Sequence, residues 1–419
     1  MKCVNFISLF SVVVMLMSSC NSDKKIDEKT IKKAEEKKQE IVHQISSPTK
    51  TGSSLPVLFT NKKDEVFLSW VTKVNDSITQ FNYSCLVDTN WKTAKEIIKG
   101  VDWFVNWADY PSISENNGNL IAHFLKRSSK EKYSYDVKLN VLPKEKTKWN
   151  TNLPLHTDGT FTEHGFVTML PYKDNSFFIT WLDGRSMDEN NEGMNGAMNI
   201  RAAAISSEGA VSNDILLDGR TCSCCQTTAA ITDNGPVVLY RDRSADEIRD
   251  IAITRMVQGK WTKPKPIHND GWKINGCPVN GPKIDVIGND LAVAWFTAVN
   301  DEPKVKLVFS KNGGESFGDA ILINEFKAMG RVDVVMLDPE NAVVSWMETK
   351  GETSYLKALK VNMSGVKSKP IIVSQMTDSR KTGFPQMERV GDKIFFAWTI
   401  IETGENLNIK TAFISSKSF

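Results

Sequence analysis

Leu291-Ala292-Val293-Ala294-Trp295 is a short apolar run ending on an aromatic ring, and it decides the fold because it recurs. The same pattern stands at Val66-Phe67-Leu68-Ser69-Trp70, Leu120-Ile121-Ala122-His123-Phe124, Phe177-Phe178-Ile179-Thr180-Trp181, Pro236-Val237-Val238-Leu239-Tyr240, Ala342-Val343-Val344-Ser345-Trp346 and Ile394-Phe395-Phe396-Ala397-Trp398. Successive instances are 51 to 59 residues apart. A fixed period of this length marks a repeat architecture in which each unit is one supersecondary element.

Around each aromatic strand the parts come in the same order. An apolar strand precedes it, as in Val57-Leu58-Phe59, Phe166-Val167-Thr168 and Ile284-Asp285-Val286. Turn residues separate the two, as in Asp233-Asn234-Gly235 and Gly288-Asn289-Asp290. An alternating third strand follows, such as Asn199-Ile200-Arg201-Ala202-Ala203, and a fourth after a polar turn, such as Asp319 to Ile323. Four antiparallel strands per unit is the plan of a propeller blade. The reading is an all-β chain with a single β-propeller of four-stranded blades over residues 51–419. Seven aromatic strands predict seven blades, with six the alternative if one of the first two units is irregular. The last unit stops after its third strand near Ile414, so Ile41 to Ile45 or Thr51 to Leu55 is expected to close the ring from the other end of the chain.

The start of the chain has a different composition. Lys2 precedes an apolar run from Phe6 to Met17 that is too short to span a bilayer comfortably. Leu16-Met17-Ser18-Ser19-Cys20 resembles the bacterial lipobox, which implies a lipoprotein signal peptide over 1–19 and a lipidated Cys20. The lipid is then the expected membrane anchor, in the cell envelope on the periplasmic or surface side of the outer membrane. Residues 20–50 are rich in Lys, Glu and Asp and are expected to form a flexible tether, because such a segment buries too little surface to offset its ordering entropy. A net charge of +2 gives no nucleic-acid footprint, and a monomer is expected.

Ser310-Lys311-Asn312-Gly313-Gly314-Glu315-Ser316-Phe317 resembles the Asp-box of sialidase-like (BNR repeat) propellers, with Asn312 in the Asp place. The resemblance implies a turn between the third and fourth strands of a blade, in which Ser310, Asn312, Gly314, Ser316 and Phe317 have a structural part and no chemistry. Sialidases use an arginine triad, an Asp acid/base and a Tyr–Glu nucleophile pair. The F/Y-R-I-P string that introduces their first arginine does not occur in this sequence, so no catalytic residue is carried over.

In a propeller the residues just before each first strand sit on one face around the central channel. These include Asp109, Tyr110, Glu163, His164, Cys222 to Gln226, Cys277 to Asn280, Arg331 and Phe384. Two groups stand out. Cys222, Cys224, Cys225 and Cys277 precede first strands in consecutive blades, so their sulfurs are expected to be neighbours. Outside the cytoplasm they read either as disulfides or as thiolate ligands for a soft ion such as Cu or Zn, with His164, Met187, Met194 and Met198 as further soft donors. Cys85 reads as a buried small hydrophobe. The second group is Arg241, Arg243, Asp246 and Arg249 with Asp183 and Arg185. It reads as a carboxylate clamp and acid/base for a glycan or other anionic ligand, or as ion pairs that fix loops. Three functions remain open: glycan binding with glycoside hydrolase activity, metal handling, and a non-catalytic interaction scaffold.

Overall fold

The computed structural model describes residues 41–187 and 196–419. The segment read as a signal peptide, Cys20, Met194 and nearly all of the predicted tether lie outside them. Among the described residues no helix is long and apolar enough to cross a membrane.

Seven antiparallel sheets follow one another along the chain, and in each of the first six the strands pair in sequence order. Blade one runs from Ser53–Thr60 through Val66–Lys73 and Thr79–Val87 to Lys95–Gly100. Blade three runs from His164–Pro171 through Phe177–Asp183 and Asn199–Ile205 to Val211–Asp218. Blade seven takes three strands, Gln386–Val390, Lys393–Ile401 and Leu407–Ser415, from the C-terminal end. Its fourth is His43–Ile45, paired as His43 with Phe413 and Ile45 with Thr411. The ring is thus closed by the first of the two segments considered, and the blade count is seven rather than six. The propeller also begins earlier than residue 51, inside the segment read as tether. The apolar Ile45 side chain is buried against Leu58, Leu68 and Phe395.

The aromatic residue that ends each second strand is the reason for the period. Trp70, Phe124, Trp181, Tyr240, Trp295, Trp346 and Trp398 are all at most 2% exposed. Truncating a buried ring of this size costs about 3–5 kcal/mol, so each blade carries one large contribution to the core. Four of the rings give their polar hydrogen to a carboxylate, whereas Trp70 Nε1 and Trp398 Nε1 have no hydrogen-bond partner. Trp181 Nε1 donates to Asp183 at 2.8 Å, Trp346 Nε1 to Glu348 at 2.9 Å, Trp295 Nε1 to Asp270 at 2.7 Å, and Tyr240 donates to Asp218 at 2.6 Å.

A register irregularity recurs where first strands begin: between Ser54 and Val57, Gly165 and Thr168, and Gly330 and Asp333. Leu55, Phe166 and Arg331 have positive φ there, at 56°, 51° and 52°. Non-glycine residues occupy that region only when their surroundings hold them in it. Bulges of this kind re-aim side chains at the rim of a sheet, and here they shape one mouth of the channel.

The octet from Ser310 to Phe317 forms the turn between the third and fourth strands of blade five. Gly314 N donates to Ser310 Oγ at 3.0 Å, Ser316 N to Asn312 Oδ1 at 2.9 Å, and Asn312 Nδ2 to Ser316 Oγ at 2.9 Å. Phe317 packs on the blade core.

Candidate functional site

The first strands of all seven blades line a central cavity of about 380 Å³. Lys283, Asp285, Asp333 and Glu388 face it, together with Tyr110. Burial holds the Glu388 carboxyl up at about 8 and that of Asp285 at about 6. Both aspartates also join blades: Asp285 accepts from Met336 N at 2.6 Å and Asp333 from Met387 N at 2.8 Å.

One mouth of the channel is built from loops that lead into first strands and loops that join second to third strands. The sulfurs of Cys222, Cys224 and Cys225 come together in the loop before blade four, all within 4.8 Å of one another. Cys222 Sγ lies 3.6 Å from Cys224 Sγ and 3.7 Å from Cys225 Sγ. A disulfide requires about 2.05 Å, so these are separate thiols. Cys277 does not join them. It is exposed, and the expectation of four neighbouring sulfurs is corrected to three. Cys85 is half-buried.

Charge is unevenly shared among the three thiols. Hydrogen bonds from Cys224 and Cys225 hold the Cys222 thiol low, with help from the Arg241 charge. Arg249 Nη1 adds a contact to Cys222 Sγ at 3.3 Å. Hydrogen bonding to Cys222 pushes Cys224 up, and burial pushes Cys225 up. Cys222 is therefore the most acidic thiol of the group.

The arginines read as a carboxylate clamp have other tasks. Arg241 is 1% exposed and donates to the carbonyls of Asn280, Arg249 and Phe296. Arg185 makes a two-pronged pair with Asp183, with both contacts at 2.7 Å. Arg243 and Arg249 both bind Glu247, at 2.7 and 2.8 Å. Arg331 donates to Thr382 and to the Ser379 carbonyl and lies over Trp107. Asp246 is exposed in the turn closed by Ser244. The ion pairs that fix loops are thus present, mostly within one blade rather than between blades.

Asp183 is fully buried and accepts from Trp181 and Arg185, a structural acceptor rather than a proton donor. Tyr135 donates to Glu163 Oε1 at 2.5 Å, a Tyr–Glu contact of the kind the sialidase resemblance implies. The Tyr135 ring is fully buried and stacked on Phe104 at 4.0 Å, which keeps it from a substrate. Burial raises Glu163 to about 7, against the hydrogen bond from Tyr135.

The sequence reading missed a cluster beside Glu163. His156 and His164 stack with ring centroids 3.8 Å apart. Asp158 Oδ2 accepts from His156 Nδ1 at 2.7 Å and lies 3.4 Å from His164 Nε2. Burial would raise the Asp158 carboxyl, yet the bonds from His156 and His164 hold it far below the usual carboxylate range. The available signal was His156-Thr157-Asp158 shortly before a first strand.

No family model and no curated protein matches the chain. Solved structures do match. The polysaccharide lyase Uly1 is 10% identical with a TM-score of 0.52, over 89% of this chain and 92% of that one. The chain has the β-propeller fold. A protein of unknown function from Dyadobacter fermentans is 11% identical with a TM-score of 0.49, over 73% of this chain and 94% of that one. The sialidase of Trypanosoma rangeli, in complex with the inhibitor DANA, is 11% identical with a TM-score of 0.46. That match spans 90% of this chain and 60% of the sialidase. At such identities the likeness is one of fold, and function has to be argued from the site.

Proposed function

We propose that this protein is a lipid-anchored propeller of the cell envelope that holds a thiophilic metal ion, Cu(I) or Zn(II), on Cys222, Cys224 and Cys225. The observation that carries the reading is three sulfurs within 4.8 Å of one another, none at bonding distance, with an arginine on Cys222. Three thiolates suit a soft ion, and deprotonation of one sulfur lowers the cost of the first metal–sulfur bond. The test is metal titration of the anaerobically purified chain. One tightly bound equivalent of Cu(I) or Zn(II) is expected, lost in Cys224→Ser and retained in Cys277→Ser. A native mass lower by two hydrogens, restored by reductant, together with no metal uptake by the reduced chain, would replace the metal site with a disulfide.

The central cavity favours a second reading, a polyhydroxylated or anionic ligand such as a glycan. Lys283 and Glu388 supply donors there, since a carboxyl held up to about 8 retains its proton near neutrality, and Asp285, at about 6, is mostly ionised and supplies an acceptor. Calorimetry across an oligosaccharide panel reads this directly, and binding weakened by Lys283→Ala is the supporting result. No heat with any member of the panel leaves the cavity structural. Glycoside hydrolysis has less support, because the clamp arginines are engaged and Tyr135 is buried.

A further inference from the structure

We propose that Asp136, His156 and His164 form a second metal site, for a borderline divalent cation such as Zn(II), separate from the thiolate cluster. Asp136 stands at the start of the third strand of blade two, and both histidines belong to the segment that crosses into blade three. One ring nitrogen of each histidine and one carboxylate oxygen of Asp136 lie within 4.8 Å of one another. Ligand atoms around a tetrahedral Zn(II) stand about 3.3 Å apart for bonds near 2.0–2.1 Å. Closing that difference takes a rotation of the partly exposed Asp136 side chain and a turn of the two imidazoles out of their stack, in which the planes are 15° apart.

The decisive feature is what the two rings lack. His156 Nε2 and both ring nitrogens of His164 are buried with no hydrogen-bond partner. Buried imidazole nitrogens are costly in that state. Asp158 accepts from His156 Nδ1 at 2.7 Å and makes only a 3.4 Å ionic contact with His164 Nε2. For His156 the carboxylate on Nδ1 fixes the tautomer and leaves the Nε2 lone pair free, and this is how metal-binding histidines are usually held. Asp158 is the positioning residue, while Asp136, His156 and His164 are the ligands.

The surroundings fit a cation. Asp183 also approaches His164, at 3.6 Å, but its carboxylate is committed to Arg185 and Trp181. Asp136 has one ionic partner, Lys138 at 3.0 Å, on a partly exposed pair of the sort that contributes little. A surface cavity of about 230 Å³ opens onto Asp136 and His156, between Gly159, Thr160 and Phe161. It provides an entry path and room for water as a further ligand. Two nitrogens and one carboxylate oxygen suit Zn(II) and its neighbours better than Cu(I), so the two sites differ in hardness.

Co(II) titration of the full mature chain separates the sites by spectrum. Thiolate coordination gives intense near-ultraviolet charge-transfer bands, whereas nitrogen and oxygen ligands give weak visible bands alone. The proposal expects a weak visible component that His156→Ala abolishes and Asp136→Asn weakens about 10-fold or more, with the charge-transfer bands unchanged. Should His156→Ala fail to fold, Asp136→Asn decides. An unchanged visible affinity in Asp136→Asn overturns the site, as does cobalt bound through thiolate bands only or not at all. Failure of the thiolate site removes the charge-transfer bands instead, so the two results stay distinct.

Discussion

Cys222 and Cys277 hold the same place in their repeats, each six residues before the first strand of its blade, at Thr228 and Lys283. One is buried among sulfurs and the other is exposed. The difference lies in what surrounds each loop. Cys222 N donates to Arg241 O at 3.0 Å, and Arg249 covers its sulfur. Around Cys277 the work is done three residues later by Asn280. Its Oδ1 accepts from Arg331 N at 2.8 Å, and its carbonyl takes two bonds from Arg241. One loop therefore gathers reactive groups while its counterpart one blade on locks the ring. Equivalent positions in a propeller perform different jobs once neighbouring loops supply different partners, and this is why the repeat alone does not locate chemistry.

Arg241 is the tie between the two loops, and its removal should have the largest effect. Arg241→Ala leaves the carbonyls of Asn280, Arg249 and Phe296 short of donors, each worth about 1–3 kcal/mol when buried. A loss of about 4 kcal/mol in denaturant unfolding is expected. A loss below about 1 kcal/mol would mean that the loops are held independently.

Glu163 gives a smaller effect, dependent on pH. Its folded-state value of about 7 lies above the ordinary 4.5. Below the ordinary value the carboxyl is protonated in both states. As pH rises from there to about 7, the unfolded chain releases the proton and the folded chain keeps it, so stability falls. Glu163→Gln retains a polar partner for Tyr135 and should flatten that slope in melting temperature over about pH 4 to 8. An identical slope in the variant would place the titration elsewhere. The smallest effect belongs to Cys277→Ser, which should shift stability by no more than about 0.5 kcal/mol and leave metal uptake unchanged. Lost uptake there would restore Cys277 to the cluster.

Much of the fold was legible because burial is periodic. Each aromatic residue from Trp70 to Trp398 had to end a buried strand, and the turn from Ser310 to Phe317 follows from its own short-range bonds. The loops were less legible. Arg185, Arg243 and Arg249 looked like ligands for an anion, yet acids two to four residues away in sequence satisfy them. His156 was overlooked because its sequence signal, His156-Thr157-Asp158 before a first strand, does not reveal the unpartnered nitrogen or the stack on His164.

By itself, then, the sequence determined a ring of four-stranded blades, seven favoured over six, with a strand from the other end of the chain expected to close it. Hydrophobic periodicity is a local property, repeated seven times. Only the tertiary structure decided that Cys222, Cys224 and Cys225 meet without Cys277. The same is true of Arg241, which turns inward, of Arg185, Arg243 and Arg249, which pair with nearby acids, and of the two histidines that stack beside Asp158. Those outcomes depend on how each loop folds back on itself and, for Arg241, on carbonyls of the next blade. A burial pattern fixes which face a side chain takes, not which neighbour it finds there.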